Sequence, residues 1–177
     1  MDIMEPRSRR ADPQPMRSGT SCRVSIRAID SSDAEGLSDL YLSLSPASRR
    51  SRFLGSVGDA SVHELATDLA AEPGLVAVLG EPGSRGGELV GHIALLPIRS
   101  DTVELAIVVR DELQGRGIGS RLVRAAGREA RRLGMRHVVA STDADNLRMR
   151  RLLLHAGWPV ERDAIDACVE EIELAVA

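Results

Sequence analysis

Polar and apolar residues alternate over Arg23-Val24-Ser25-Ile26-Arg27-Ala28-Ile29, the period-two pattern of a half-buried strand. Asp30, Ser31, Ser32 and Asp33 follow as helix N-caps, and the next apolar positions predict a helix from Ala34 to Leu44. Pro46 suits the first turn of a second helical piece running toward Phe53. A third short helix is expected over Val62 to Ala71, closed by Glu72-Pro73-Gly74. Leu75 to Leu79 and Val90 to Leu96 are apolar runs flanking a glycine-rich turn, Gly80 to Gly87, and Val103 to Val109 is another. Their close spacing predicts antiparallel strands.

The period then changes. Ile118 to Leu133 repeats at helical spacing, with Leu122, Ala126, Ala130 and Leu133 inward and Arg121, Arg124, Arg128 and Arg132 outward. Gly134 stands where a helix C-terminus favours glycine. His137 to Ser141 is a buried-type strand, and Asn146 to Ala156 is a helix stopped by Gly157. Trp158 to Val160 and Cys168 to Val176 are expected to close the sheet. Val103 to Ser141 thus forms a strand–helix–strand unit whose two strands should be parallel. The prediction is an α/β chain with a mixed sheet flanked by helices. Met1 to Ser21 is polar, rich in Arg, Pro and Ser, and without periodicity; it is expected to be a disordered tail before a single domain over 22–177.

Composition narrows the chemistry. Aromatic residues make up 2% of the chain, so Leu, Val, Ile and Ala must pack the core, and a base-stacking nucleic-acid surface is not expected. A net charge of −3 gives no global pull toward DNA or anionic lipid. All 23 basic residues are arginine. No lysine can therefore form a Schiff base, serve a Walker loop or accept an acyl group. Cys22 and Cys168 form no Cys-x-x-Cys pair, and His63, His92, His137 and His155 lack metal-ligand spacing, so no metal is expected. No apolar run approaches membrane-spanning length and the start lacks a signal-like segment, which predicts a cytoplasmic protein.

The segment Gln114-Gly115-Arg116-Gly117-Ile118-Gly119 joins a strand to a helix. Backbone N–H groups converge at such a junction, and the helix N-terminus adds roughly half a positive charge. The ordinary alternative is a tight packing turn. A nucleoside-triphosphate loop requires the missing lysine. A dinucleotide loop requires a glycine where Leu122 stands. What fits is Gln/Arg-x-x-Gly-x-Gly/Ala, through Gln114, Gly117 and Gly119. Here the sequence resembles the GCN5-related N-acetyltransferase (GNAT) superfamily, from Arg23 to the C-terminus. Asn146, followed eleven residues later by Gly157-Trp158, is similar to a second motif of that family.

The resemblance implies a central, mixed but mostly antiparallel sheet of about six to seven strands with about four helices. It also implies a splayed parallel pair at the cofactor site. It assigns acetyl-CoA as co-substrate. Backbone groups of Gly115, Arg116, Gly117, Ile118, Gly119 and Ser120 would meet the pyrophosphate. The backbone of Ile107, Val108 and Val109 would meet the pantetheine and the acetyl carbonyl, and Asn146 would hydrogen-bond the pantetheine. Arg116 or Arg121 could reach phosphate oxygens, a solvated helix face being the alternative.

Transfer to an amine needs its neutral form, which for a lysine-like group at pH 7 costs about 4.6 kcal/mol. Glu104, the one acid in the apolar strand Val103 to Val109, is the expected base, with a pKa raised by burial. A merely solvated glutamate is the alternative. The family often places a tyrosine acid four residues before the last motif's glycine; here that position is Leu153, and the sole tyrosine, Tyr41, lies in the first helix. His155 is a substitute on the same helix, or a capping residue. His92 is expected to be a half-buried structural residue. Leu44-Ser45-Pro46-Ala47-Ser48-Arg49-Arg50-Ser51-Arg52-Phe53 is similar to a segment of bacterial Pat-type protein lysine acetyltransferases, a helix-capping turn with Phe53 in the core being the alternative.

The expected activity is acetyl-CoA-dependent N-acetylation of a primary amine, on a protein lysine or a small molecule, by direct attack in a ternary complex. A non-catalytic acyl-CoA-binding module and a nucleotide-binding module of another kind are the alternatives. The acceptor's identity and dimerisation stay open.

Overall fold

The computed structural model describes residues 23–81 and 86–176. The segment expected to be a disordered tail, the start of the expected domain at residue 22 and part of the glycine-rich turn lie outside them. Seven strands form one sheet: β1 (Arg23–Ala28), β2 (Gly74–Gly80), β3 (Glu88–Arg99), β4 (Thr102–Val109), β5 (His137–Asp143), β6 (Val160–Asp166) and β7 (Val169–Ala175). Their order is β1-β2-β3-β4-β5-β7-β6. Each neighbouring pair is antiparallel except β4 and β5. Five α-helices accompany them: α1 (Ala34–Leu42), α2 (Pro46–Phe53), α3 (Asp59–Ala71), α4 (Ile118–Arg132) and α5 (Leu147–Leu154).

β2 reads as an unbroken apolar run because both faces of the sheet are covered. Val76 and Val78 pack with Leu37, Leu40, Val62 and Ala66 of α1 and α3. Leu75 and Ala77 pack on the other face with Leu122, Val123 and Ala126 of α4. α4 keeps its arginines exposed and its small residues inward. Gly127 is one of these: a Cβ there would lie 2.3 Å from Cζ2 of Trp158, so the indole sits directly on the helix backbone.

That contact corrects one expected boundary. Trp158 and Pro159 are not strand; β6 starts at Val160, because the Trp158 side chain is drawn down onto α4. Helix α3 also begins earlier than expected, at Asp59. Gly134 ends α4 at φ 80°, as its position predicted.

The β4–β5 pair decides where function can sit. Its parallel register covers only Thr102↔His137, Val103↔Val138 and Glu104↔Val139. Beyond Glu104, β4 stays with β3, and β5 stays with β7. The two strands part, and the sheet opens into a V. The β3–β4 ladder is regular from Gly91↔Val109 to Pro97↔Val103, with its irregularity confined between Pro97 and Arg99. Among the described residues no helix is long and apolar enough to cross a membrane.

Candidate functional site

Two adjoining cavities open from the V. The larger, about 690 Å³, is lined by Ile107, Val108, Val109, Gln114, Gly115, Gly117, Gly119, Ser120 and Asn146 among others. The smaller, about 270 Å³, is lined by Glu104, Leu105, Ala106, Ser141 and Thr142 with side chains of α2 and α3. Ser51, Arg52, Ile107 and Met149 border both, so the two share a wall.

The larger cavity is built from main chain. Arg110 N donates to Val90 O at 2.9 Å. Antiparallel pairing alternates residue by residue, so Val108 also faces β3, while Ile107 and Val109 turn N–H and C=O toward the split. The Val109 carbonyl accepts from Gln114 Nε2 at 2.9 Å. Past a short 3₁₀ turn, Asp111–Leu113, the chain reaches Gly115 at φ 76° and Gly117 at φ 79°. These are left-handed conformations that suit glycine. The six N–H groups from Gly115 to Ser120 find no acceptor among the described residues; the first helical bond here is Arg121 N to Gly117 O. Six such donors at the start of a fifteen-residue helix are the kind of groups that an anion satisfies.

The expected residues divide within this frame. Gly115, Gly117, Gly119 and Ser120 border the cavity. Arg116 is exposed outside the lining, and the Ile118 side chain is buried in the core, so these two offer only their N–H groups. Arg121 turns away to Val24 O at 2.9 Å. In its place α5 brings Arg148 and Arg151, which border the cavity and were missed because a helical arginine carries no positional signal. Gln114 spends its amide internally: besides Val109 O, its Nε2 reaches Ser48 Oγ at 3.3 Å and its Oε1 accepts from Arg148 at 2.6 Å. Asn146 caps α5 through Met149 N at 3.0 Å and donates to Ser51 Oγ at 2.9 Å.

These bonds tie α2 across the opening. Asp111 adds more: its carboxylate accepts from Ser45 N at 2.9 Å, Ser45 Oγ at 3.0 Å and Ser48 Oγ at 2.6 Å. Burial alone would raise the Asp111 pKa, but these hydrogen bonds outweigh it and hold the group below the ordinary carboxylate value.

The smaller cavity is built from side chains. Glu104 is half-buried, and its carboxylate makes no hydrogen bond or ion pair with a described residue. Behind the shared wall lies a sealed polar pair: Tyr41 Oη and His92 Nδ1 are 2.7 Å apart, and both rings are fully buried. His92 is therefore more buried than expected, and borders neither cavity. Burial first, and the Arg52 charge second, lower its pKa to about 3 against the pull of Asp33, so the ring is neutral.

Leu153 is wholly buried in the core and presents nothing to either cavity. His155 borders the larger one, with Nδ1 donating to Arg151 O at 2.7 Å, a helix-capping bond. Away from the site, His137, Glu161 and Glu173 bring ligand-type atoms within 4.8 Å of one another, a grouping invisible in the sequence spacing. His137 Nδ1 lies 2.7 Å from Glu161, and Glu173 pairs with Arg99 at 3.5 Å.

Similarity to known proteins agrees with this architecture. Residues 40–158 match the model of the acetyltransferase (GNAT) family. An acetyltransferase of Pseudomonas aeruginosa is 30% identical over 148 residues, 81% of this chain and 79% of that protein. The GNAT domain of S. lividans PAT is similar in structure, with a TM-score of 0.68 and 26% identity over 85% of this chain and 89% of that one. The fold is also shared with yncA of Salmonella typhimurium, solved with its cofactor acetyl-CoA, at a TM-score of 0.60 and 20% identity, covering 86% and 92% of the two chains. A sheet that splits after Glu104, a turn of orphan amides at the split and a matching family model have one common account: this chain belongs to the GNAT family and is an N-acetyltransferase.

Proposed function

We propose that the chain transfers an acetyl group from acetyl-CoA to a primary amine by direct attack while both substrates are bound. The supporting observation is the run of six N–H groups without acceptors among the described residues, Gly115 to Ser120, at the larger cavity, which adjoins along β4 the smaller one lined by Glu104. A pyrophosphate satisfies those donors and the helix dipole together. Arg148 and Arg151 add charge at the same cavity. The N–H groups of Ile107 and Val109 suit an extended amide-bearing arm, and one of them suits a carbonyl oxygen that gains charge during attack.

Acetyl-CoA supplies a thioester carbonyl, so that a carbon–nitrogen bond forms, the carbon–sulfur bond breaks, and CoA departs as a thiolate that takes up the second proton lost by the attacking nitrogen. Glu104 takes the proton that the acceptor's ammonium must lose before its lone pair is available. Its isolation from other partners leaves the carboxylate free for that exchange. Replacement Glu104→Gln keeps the shape and removes the base. Turnover is expected to fall by about 100-fold or more, with the acetyl-CoA dissociation constant unchanged within a factor of about two. Equal turnover in the two proteins removes Glu104 from the mechanism.

A further inference from the structure

Arg52 occupies an unusual position for a cation. It projects from α2 into the wall shared by the two cavities. It makes no ion pair with any described acid. Among the described residues its side chain makes one hydrogen bond, a long one, Nη2 to Tyr41 Oη at 3.5 Å; Nε is sealed from solvent without a partner there, and Nη1 has none. The guanidinium is held instead by rings, its Cζ 4.9 Å from the Phe53 centroid and 5.8 Å from that of Tyr41. Phe53 and Tyr41 are the sole phenylalanine and the sole tyrosine of the chain, and they pack edge to face at 5.2 Å. Aromatic faces stabilise and orient a cation without neutralising it. Arg52 is thus fixed in place with its charge and much of its donor fork unspent.

The smaller cavity has two ionisable residues in its lining, Arg52 and Glu104. The rest is apolar apart from Ser51, Ser141 and Thr142. At about 270 Å³ it lies below the range of roughly 300–1,000 Å³ common for drug-sized ligands. One anion and one cation in a small, otherwise largely apolar space complement a ligand that carries both charges. We propose that the acceptor is a small zwitterion of the amino-acid class, its ammonium directed to Glu104 and its carboxylate bound by the Arg52 fork. A lysine within a protein would bring an ammonium alone and leave Arg52 without its anion. This inference rests on the acetyl-transfer reading above, and names the substrate class of that same site.

The test compares alanine, leucine, methionine and phenylalanine with the four amines that lack only the carboxylate, and with a blocked lysine peptide. Binding to the CoA-loaded protein is measured by calorimetry, and transfer by mass shift. At least one amino acid is expected to bind tenfold or more tightly than its decarboxylated partner. Arg52→Gln is expected to abolish that preference, Arg52→Lys to keep part of it, and neither to weaken acetyl-CoA binding. The proposal is overturned if no pair favours the amino acid, if the blocked lysine peptide binds best, or if Arg52→Gln weakens acetyl-CoA as much as the acceptor. Preferential binding without transfer would uphold the ligand class and sink the transfer reading. Transfer to both members of every pair alike would do the reverse.

Discussion

The two cavities that meet at Arg52 are made from different material. The larger uses peptide groups: Ile107 and Val109 at the split, and Gly115 to Ser120 at the head of α4. The smaller uses side chains gathered from α2, α3, β4 and β5. A site of peptide groups depends on backbone conformation, and so tolerates change only where the φ angles survive. A site of side chains depends on residues far apart in the chain, and can be altered one position at a time. The difference suits an enzyme family in which one partner is constant and the other varies.

The side-chain half should be the acid-sensitive one. His92 backs it, neutral, with a pKa of about 3 against 6.5 for an unhindered imidazole. The unfolded chain binds the proton first, so this contribution is complete above pH 6.5 and is lost as the pH falls toward 3. Between pH 6.5 and 4.5 the loss is roughly 2 kcal/mol. Urea midpoints across that window should fall steeply in the native protein and much less in His92→Gln. Equal slopes would show that His92 does not govern this half.

A smaller effect should come from the strap between the halves. Asp111→Ala removes the acceptor of three hydrogen bonds from Ser45 and Ser48. A stability loss of about 2 kcal/mol is expected, together with a raised KM for the amine and little change for acetyl-CoA. A reversed pattern in the two KM values would mean that α2 serves the larger cavity instead.

The peptide half is tested by Gly117→Ala. Nothing obstructs a Cβ there, but φ is 79°, so the variant carries roughly 1–2 kcal/mol of strain in this conformation. Acetyl-CoA affinity should drop about five- to tenfold while acceptor binding holds. Unchanged affinity would argue that the glycine serves folding alone. Smallest is Asn146→Ala, which loses the cap to Met149 and the tie to Ser51, for about 1 kcal/mol in thermal stability.

The same contrast explains what was legible in the sequence. Gly115 and Gly117 could be read because left-handed backbone restricts residue choice, and β4 because an apolar run holding one acid is uncommon. Helix α2 could be placed from Pro46 toward Phe53 by its proline, and the structure adds the Ser45 cap. Arg52 gave no such sign, since an arginine on a polar helix looks solvated until the fold sets Phe53 and Tyr41 around it. Arg148 and Arg151 were hidden for the same reason, while Arg121, for which a phosphate contact and a solvated helix face were both open, lies exposed with its guanidinium on the Val24 carbonyl of β1. Trp158 was taken for strand because its anchor, Gly127, is thirty-one positions away in the chain.

β4 carries both halves of the site on eight residues. Its pairing with β3 decides together which peptide groups meet the larger cavity and on which face Glu104 emerges. A slip of one residue would misplace both. The irregularity between Pro97 and Arg99 lies beyond the Leu96↔Glu104 pair, at the turn end of the ladder. Length changes in the β3–β4 turn can therefore be absorbed there before they reach the working stretch. That turn is where a fused peptide or an inserted loop should leave the enzyme intact.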